Sequence, residues 1–182
     1  MNPVETFRLA DRAIEGVVLG IPDDGWGRVP EPVFASDPVG GRPVRDAVAH
    51  LARDEAWIPS QLAGETMAEA GEPDVGPFPD LARRARAAAE GVDDLAATVH
   101  CSFGDCSVEE YLWQLIVART LGAEALARVL GLVSPVDDEL AGAVLGGLAP
   151  RAELWRSVGI LLPPRAAASP SARDRLLALC GL

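Results

Sequence analysis

The stretch from Ser107 to Gly131 constrains the fold most. Ser107-Val108-Glu109-Glu110 reads as a capping box, in which the Ser hydroxyl accepts from a backbone N–H three residues on and the carboxylate there reaches back to the cap. No proline interrupts the chain from there to Leu130, and Gly131 ends the run. A helix of that length has to bury an apolar side against other elements. Asn2-Pro3 with Glu5 is a second start, a cap followed by proline at the first helical position. Val4, Phe7, Ala10, Ile14, Val17 and Val18 form its stripe, which Gly20 and Pro22 end.

The remaining punctuation divides the chain in the same manner. A loop rich in Gly, Pro and Asp runs from Pro22 to Pro43; Trp26 and Phe34 within it are expected to pack down, and Gly40-Gly41 is a turn. A helix is expected from about Pro43 to Leu62, with Val44, Ala47, Val48, Leu51, Trp57 and Ile58 on its apolar side and a kink at Pro59. Residues 71–79 read as a loop and Asp80–Glu90 as a short Ala/Arg-rich helix. Ser134-Pro135 and Ser169-Pro170 read as two further helix starts. The segment from Leu95 to Phe103 can be extended, but no alternating strands recur. The pattern predicts an all-α protein: one domain over residues 1–182, an up-and-down helical bundle with long crossover loops. The His50 helix is expected to pack against the Tyr111–Leu130 helix, and Pro163–Leu182 to form a C-terminal arm on the bundle.

Composition narrows the function. Sixteen basic against 27 acidic residues leave a formal charge of −11, which opposes binding to nucleic acid or to an anionic membrane surface. Hydrophobic content of 49% excludes intrinsic disorder. The start of the chain lacks a basic segment followed by an apolar one, so no signal peptide is expected. Three cysteines, an odd number, fit a reducing compartment, and the expected location is the cytoplasm. Every basic side chain is arginine, which leaves no lysine for Schiff-base chemistry.

Several stretches in order resemble one family. They are Ile21-Pro-Asp-Asp-Gly-Trp26, Val44-Arg-Asp-Ala-Val-Ala-His-Leu51, Leu62-Ala-Gly-Glu-Thr66, Val99-His-Cys-Ser-Phe-Gly-Asp105 and Glu109-Glu-Tyr-Leu-Trp-Gln-Leu115. Leu126-Ala-Arg128 with Gly131, and Ala172-Arg-Asp-Arg-Leu-Leu-Ala178, complete the set. Together they resemble the DinB-like, maleylpyruvate-isomerase-like metal-binding proteins of actinobacteria, across nearly the whole chain. The resemblance implies a four-helix bundle holding a divalent zinc or nickel ion, with mycothiol-dependent isomerases and thiol transferases among the relatives. It implies His50 as the first metal ligand. The family's remaining ligands, an acid, a histidine four residues later and often an Asp after that, align with Ala118, Gly122 and Ala125. A zinc site takes three or four protein ligands, so the expectation is a protein without metal or other cofactor.

The candidate catalytic residues are His50, Asp54 and Tyr111. His50 suits acid–base work near neutral pH, and Asp54, one turn on, is placed to orient its imidazole; the plainer reading is a core histidine and a solvated acid. Gln114 and Tyr111 lie four and seven residues before Ala118 and share its face. The candidate ligand-binding residues are Trp57, Trp113, Gln114, Ala118, Gly122 and Ala125, the two tryptophans being most simply read as core. Trp26 and Trp155 are assigned to packing. Cys101 and Cys106, beside His100, match no zinc-motif spacing, and a Cys nucleophile paired with His50 is a minor alternative.

An unfilled void where ligands were lost costs about 24 cal/mol per Å³. Either Trp57 or Trp113 collapses into the space, or it is kept as an apolar pocket with convergent polar groups. The second outcome is preferred. It predicts a metal-independent isomerase or cyclase of specialised metabolism acting on a small molecule, with a non-catalytic metabolite-binding protein, a metal-dependent thiol transferase and a degenerate interaction module as rivals. An acidic helical bundle can also form a homodimer through a helix face.

Overall fold

The computed structural model describes all residues except Ala35, Ser36, Pro38 and Phe103. The first three fall in the loop expected over 22–43, and Phe103 ends the segment expected to be extended; both expectations lie outside the described residues there.

The chain is mainly helical. In order it forms α1 (Pro3–Leu19), α2 (Val44–Leu62), α3 (Met67–Ala70), α4 (Phe78–Glu90), strands β1 (Thr98–Cys101) and β2 (Gly104–Ser107), α5 (Val108–Leu130), α6 (Asp138–Leu148), α7 (Ala152–Ser157) and α8 (Ala172–Cys180). The caps explain the boundaries. Asn2 accepts from the Glu5 N–H while the Glu5 carboxylate accepts from the Asn2 N–H, so both halves of that capping box form. Ser107 accepts from Glu110 N at 3.2 Å. The Glu110 carboxylate does not return to the cap: Oε1 accepts from Trp155 Nε1 at 3.0 Å and Oε2 from Arg151 Nε at 3.1 Å. The second half of the expected box is spent tying α7 to the start of α5.

The start expected at Ser134-Pro135 moves to Asp137, whose side chain accepts from Leu140 N. The Ser134 hydroxyl instead donates to the buried Glu124. The start expected at Ser169-Pro170 likewise moves to Ser171, which caps α8. β1 and β2 form an antiparallel hairpin with Val99 opposite Cys106 and His100 opposite Asp105. Its strands of four residues each are too short to show as an alternating pattern.

The long helices form a ring that is open on one side. α1 packs against α5 and α4, and α4 packs against α2. α2 and α5 do not pack along their length, contrary to the expectation for the His50 helix. They approach through side chains, Glu55 to Arg119 and Gln61 to Tyr111. The later residue on α2 meets the earlier on α5, so the two helices run antiparallel. α6 packs with α8 and touches α1 and α5. One apolar cluster gathers around Phe7, Ile58, Leu112 and Ile116, and a second around Ile14, Leu51, Leu81 and Leu126. The loop before α2 is pinned by Asp37, whose carboxylate oxygens accept from Val33 N at 2.7 Å and Val39 N at 2.8 Å. That pinning seats Val39 on α5 at Gly122.

Candidate functional site

The open side of the ring is a cleft of about 760 Å³. α2 contributes Asp54, Trp57 and Gln61, at the three- and four-residue steps that place side chains on one helix face. α5 contributes Tyr111, Gln114, Leu115 and Ala118 by the same periodicity. Trp155, Val158 and Ile160 close it from α7 and the turn that follows, while Cys101 and Ser102 border it from the hairpin. The lining is mostly apolar, with a few polar groups converging on it, which is the usual form of a small-molecule site in size and chemistry.

A buried ion pair forms part of the wall. Arg119 Nε donates to Glu55 Oε1 at 2.6 Å, with the two side chains 1% and 0% exposed. Burial works against the Arg119 charge, but Glu55, then Asp54 and Asp11, outweigh it and hold its pKa above the ordinary value. The pair is joined by one bond only: Glu55 Oε2 and Arg119 Nη2 have no hydrogen-bond partner among the described residues. Asp11 on α1 is also fully buried and takes a 2.5 Å bond from Arg86, which pairs with Glu15 at 2.9 Å as well. Burial, followed by the repulsion of Glu55, pushes the Asp11 carboxyl up to about 8 despite the two arginines nearby.

Tyr111 donates its hydroxyl to Gln61 Oε1, a bond that ties α5 to α2 across the cleft. Burial raises the Tyr111 pKa well above its usual value, so the phenol keeps its proton. The Cys101 thiol is pushed up to about 12 by burial and then by Cys106, and burial also raises Cys106. Neither is an activated thiolate. Across the hairpin, His100 Nδ1 sits 2.9 Å from Asp105 Oδ1.

The candidate residues therefore separate into two sets. Asp54, Trp57, Tyr111, Gln114 and Ala118 come together in the cleft. His50, Trp113, Gly122 and Ala125 do not line it. His50 is half-exposed on α2 with Nε2 3.6 Å from Asp54 Oδ2, longer than a hydrogen bond. Trp113 faces away, toward α6 and α7: the Arg151 guanidinium lies 5.2 Å from its ring centroid, and a methyl group on Gly147 would overlap the ring. Gly122 is small for a different neighbour. A methyl there would stand 3.2 Å from Val39 Cγ2 and 3.4 Å from Ile14 Cδ1, so the residue makes room for α1 and the pinned loop. Ala125 is buried in the main core cluster. Among the described residues no three His, Cys, Asp or Glu side chains are grouped as metal ligands.

Sequence reasoning missed Arg119, Glu55 and Trp155. The signal for the pair was present: Arg119 is the sole charged residue from Tyr111 to Ala123, and Glu55 lies on the apolar stripe between Leu51 and Ile58. Trp155 gave no such signal, because its place depends on α7 folding back onto Glu110. No family model matches the chain, and no curated protein or solved structure matches it.

Proposed function

We propose that this chain is a metal-independent, small-molecule-binding member of the DinB-like group. In this reading it is a cytoplasmic four-helix bundle of α1, α2, α4 and α5 whose ligand site is the cleft between α2 and α5. The observation that carries the reading is the separation of those two helices around a space of about 760 Å³ that neither Trp57 nor Trp113 fills. Closing α2 onto α5 would bury more apolar surface, at roughly 25 cal/mol per Å². The Glu55–Arg119 and Gln61–Tyr111 contacts set the spacing instead.

The polar groups of the site are suited to holding a molecule in one pose. Tyr111, Cys101 and Arg119 all keep their protons at neutral pH, so they donate hydrogen bonds rather than abstract protons. Catalysis here takes the form of isomerisation or cyclisation of a flexible substrate held in reactive shape, with Gln114 polarising it and the Tyr111 hydroxyl, bonded to Gln61, fixing the wall. The second reading is a binder without turnover, and the same retained protons favour it.

A thermal-shift screen of apolar, drug-sized compounds tests the site, because a ligand stabilises by RT ln(1 + [L]/Kd). Hits are expected for the wild-type protein and not for Ala118→Trp, which fills the cleft while leaving the melting temperature close to wild type. Hits that persist in Ala118→Trp, or a complete absence of hits, overturn the reading. Turnover of a hit by wild type and its loss in Gln114→Leu distinguish enzyme from binder.

A further inference from the structure

We propose that the cleft takes a cationic ligand, an amine or quaternary ammonium on an apolar body, with its charged head beside Asp54 and against the rings of Trp57, Trp155 and Tyr111. This rests on the small-molecule reading above and adds the ligand's charge.

Two charged side chains line the cleft, Asp54 and Arg119. Arg119 is compensated: Glu55 lies 2.6 Å from its Nε, and the pair is almost wholly buried. Seen from the cleft, such a pair is a short dipole whose field falls faster than that of a single charge. Asp54 is different. Its side chain is 36% exposed; His50 Nε2, 3.6 Å away, carries charge only when protonated, and Arg119, although near enough for Asp54 to raise its pKa, gives its Nε to Glu55, so two carboxylates share one guanidinium. The cleft therefore presents an excess of negative charge. An anion entering it would meet Asp54 directly, and the Arg119 guanidinium in the wall already faces the Glu55 carboxylate. Like charges that close, in a partly dry cleft, repel strongly enough to decide the sign of the ligand.

The rings supply the second half of the site. Trp155 already donates its Nε1 proton to Glu110, and Tyr111 its hydroxyl proton to Gln61. Their donor groups are occupied, so what they offer a ligand is ring surface. Aromatic faces carry a negative quadrupole and attract cations, more strongly when water is displaced. Phe34 and Leu115 provide uncharged wall for an apolar body. The charge of −11 on the whole chain raises the concentration of cations at its surface.

Isothermal titration of the full chain with three probes of similar shape tests this: benzyltrimethylammonium, its neutral carbon isostere neopentylbenzene, and hydrocinnamate as the anion. The ammonium is expected to bind about tenfold more tightly than the neutral probe, with the carboxylate weakest. Asp54→Asn should remove most of that advantage and leave the neutral probe's affinity unchanged. Raising salt to 0.5 M should narrow the difference in wild type, a readout that needs no variant. Equal binding of ammonium and neutral probe, tighter binding of the carboxylate, or equal losses for both in Asp54→Asn overturns the cationic assignment while the cleft stands as a site. Failure of all three probes to bind wild type counts against the cleft itself.

Discussion

Arg119 and Glu55 each occupy a helix position that the neighbouring periodicity marks as apolar, and each is tolerable there because the other faces it. Both are fully buried, and one 2.6 Å bond joins them. Removing one partner strands a charge in a low-dielectric core, which typically costs about 3–5 kcal/mol. Glu55→Leu and Arg119→Met are therefore each expected to destabilise the fold by that amount in urea denaturation. The double variant should recover most of the loss, since well-packed apolar replacements of a buried pair are often neutral or better. Additive losses in the double variant would mean that the two charges are satisfied by other groups. Asp11 on α1 likewise sits between Phe7 and Ile14 on the buried stripe and is held by Arg86, but burial pushes its carboxyl up to about 8, so it carries its proton for much of the time at neutral pH.

At the scale of elements, α5 serves two compartments. One face lines the cleft through Tyr111, Gln114 and Ala118. The other carries Trp113 against α6, where Gly147 is required by the indole ring. Gly147→Ala is expected to overpack that contact and destabilise by about 1–3 kcal/mol. The adjacent Gly146 meets nothing within 4 Å, so Gly146→Ala should be neutral or stabilising by up to about 1 kcal/mol. Thermal unfolding of the two variants side by side checks both; equal effects would contradict the Trp113 packing. The element boundaries show what was legible. α1 and α5 follow from local chemistry: a capping side chain, a stripe and a terminal glycine, with a proline at the first turn of α1; α2 follows from its stripe and from Pro43 at its start. α6 starts three residues later than its serine suggested because Ser134 bonds to Glu124, a partner ten residues back that no local pattern announces. α7 has no side-chain cap at all, and its anchor is Glu110 on another element.

For the whole molecule, the same limit applies to the site. The two stripes facing the cleft were readable from helical spacing, since Asp54, Trp57, Tyr111, Gln114 and Ala118 need only a three- and four-residue repeat to share their faces. What spacing could not supply is which face meets which neighbour. Gly122 and Ala125 continue the α5 stripe in sequence, yet the loop pinned by Asp37 brings Val39 onto Gly122, while Ala125 lies within the main core cluster. Among the described residues no helix is long and apolar enough to cross a membrane. The central claim is that ligand enters between α2 and α5, and the chain's four tryptophans report on it directly. Each indole N–H gives its own signal in a ¹⁵N–¹H correlation spectrum, assignable by single Trp→Phe variants. Titration with a compound that stabilises the protein should move the Trp57 and Trp155 signals and leave Trp26 and Trp113 in place. Movement of Trp113 or Trp26 without Trp57 and Trp155 would place the ligand elsewhere and contradict the account.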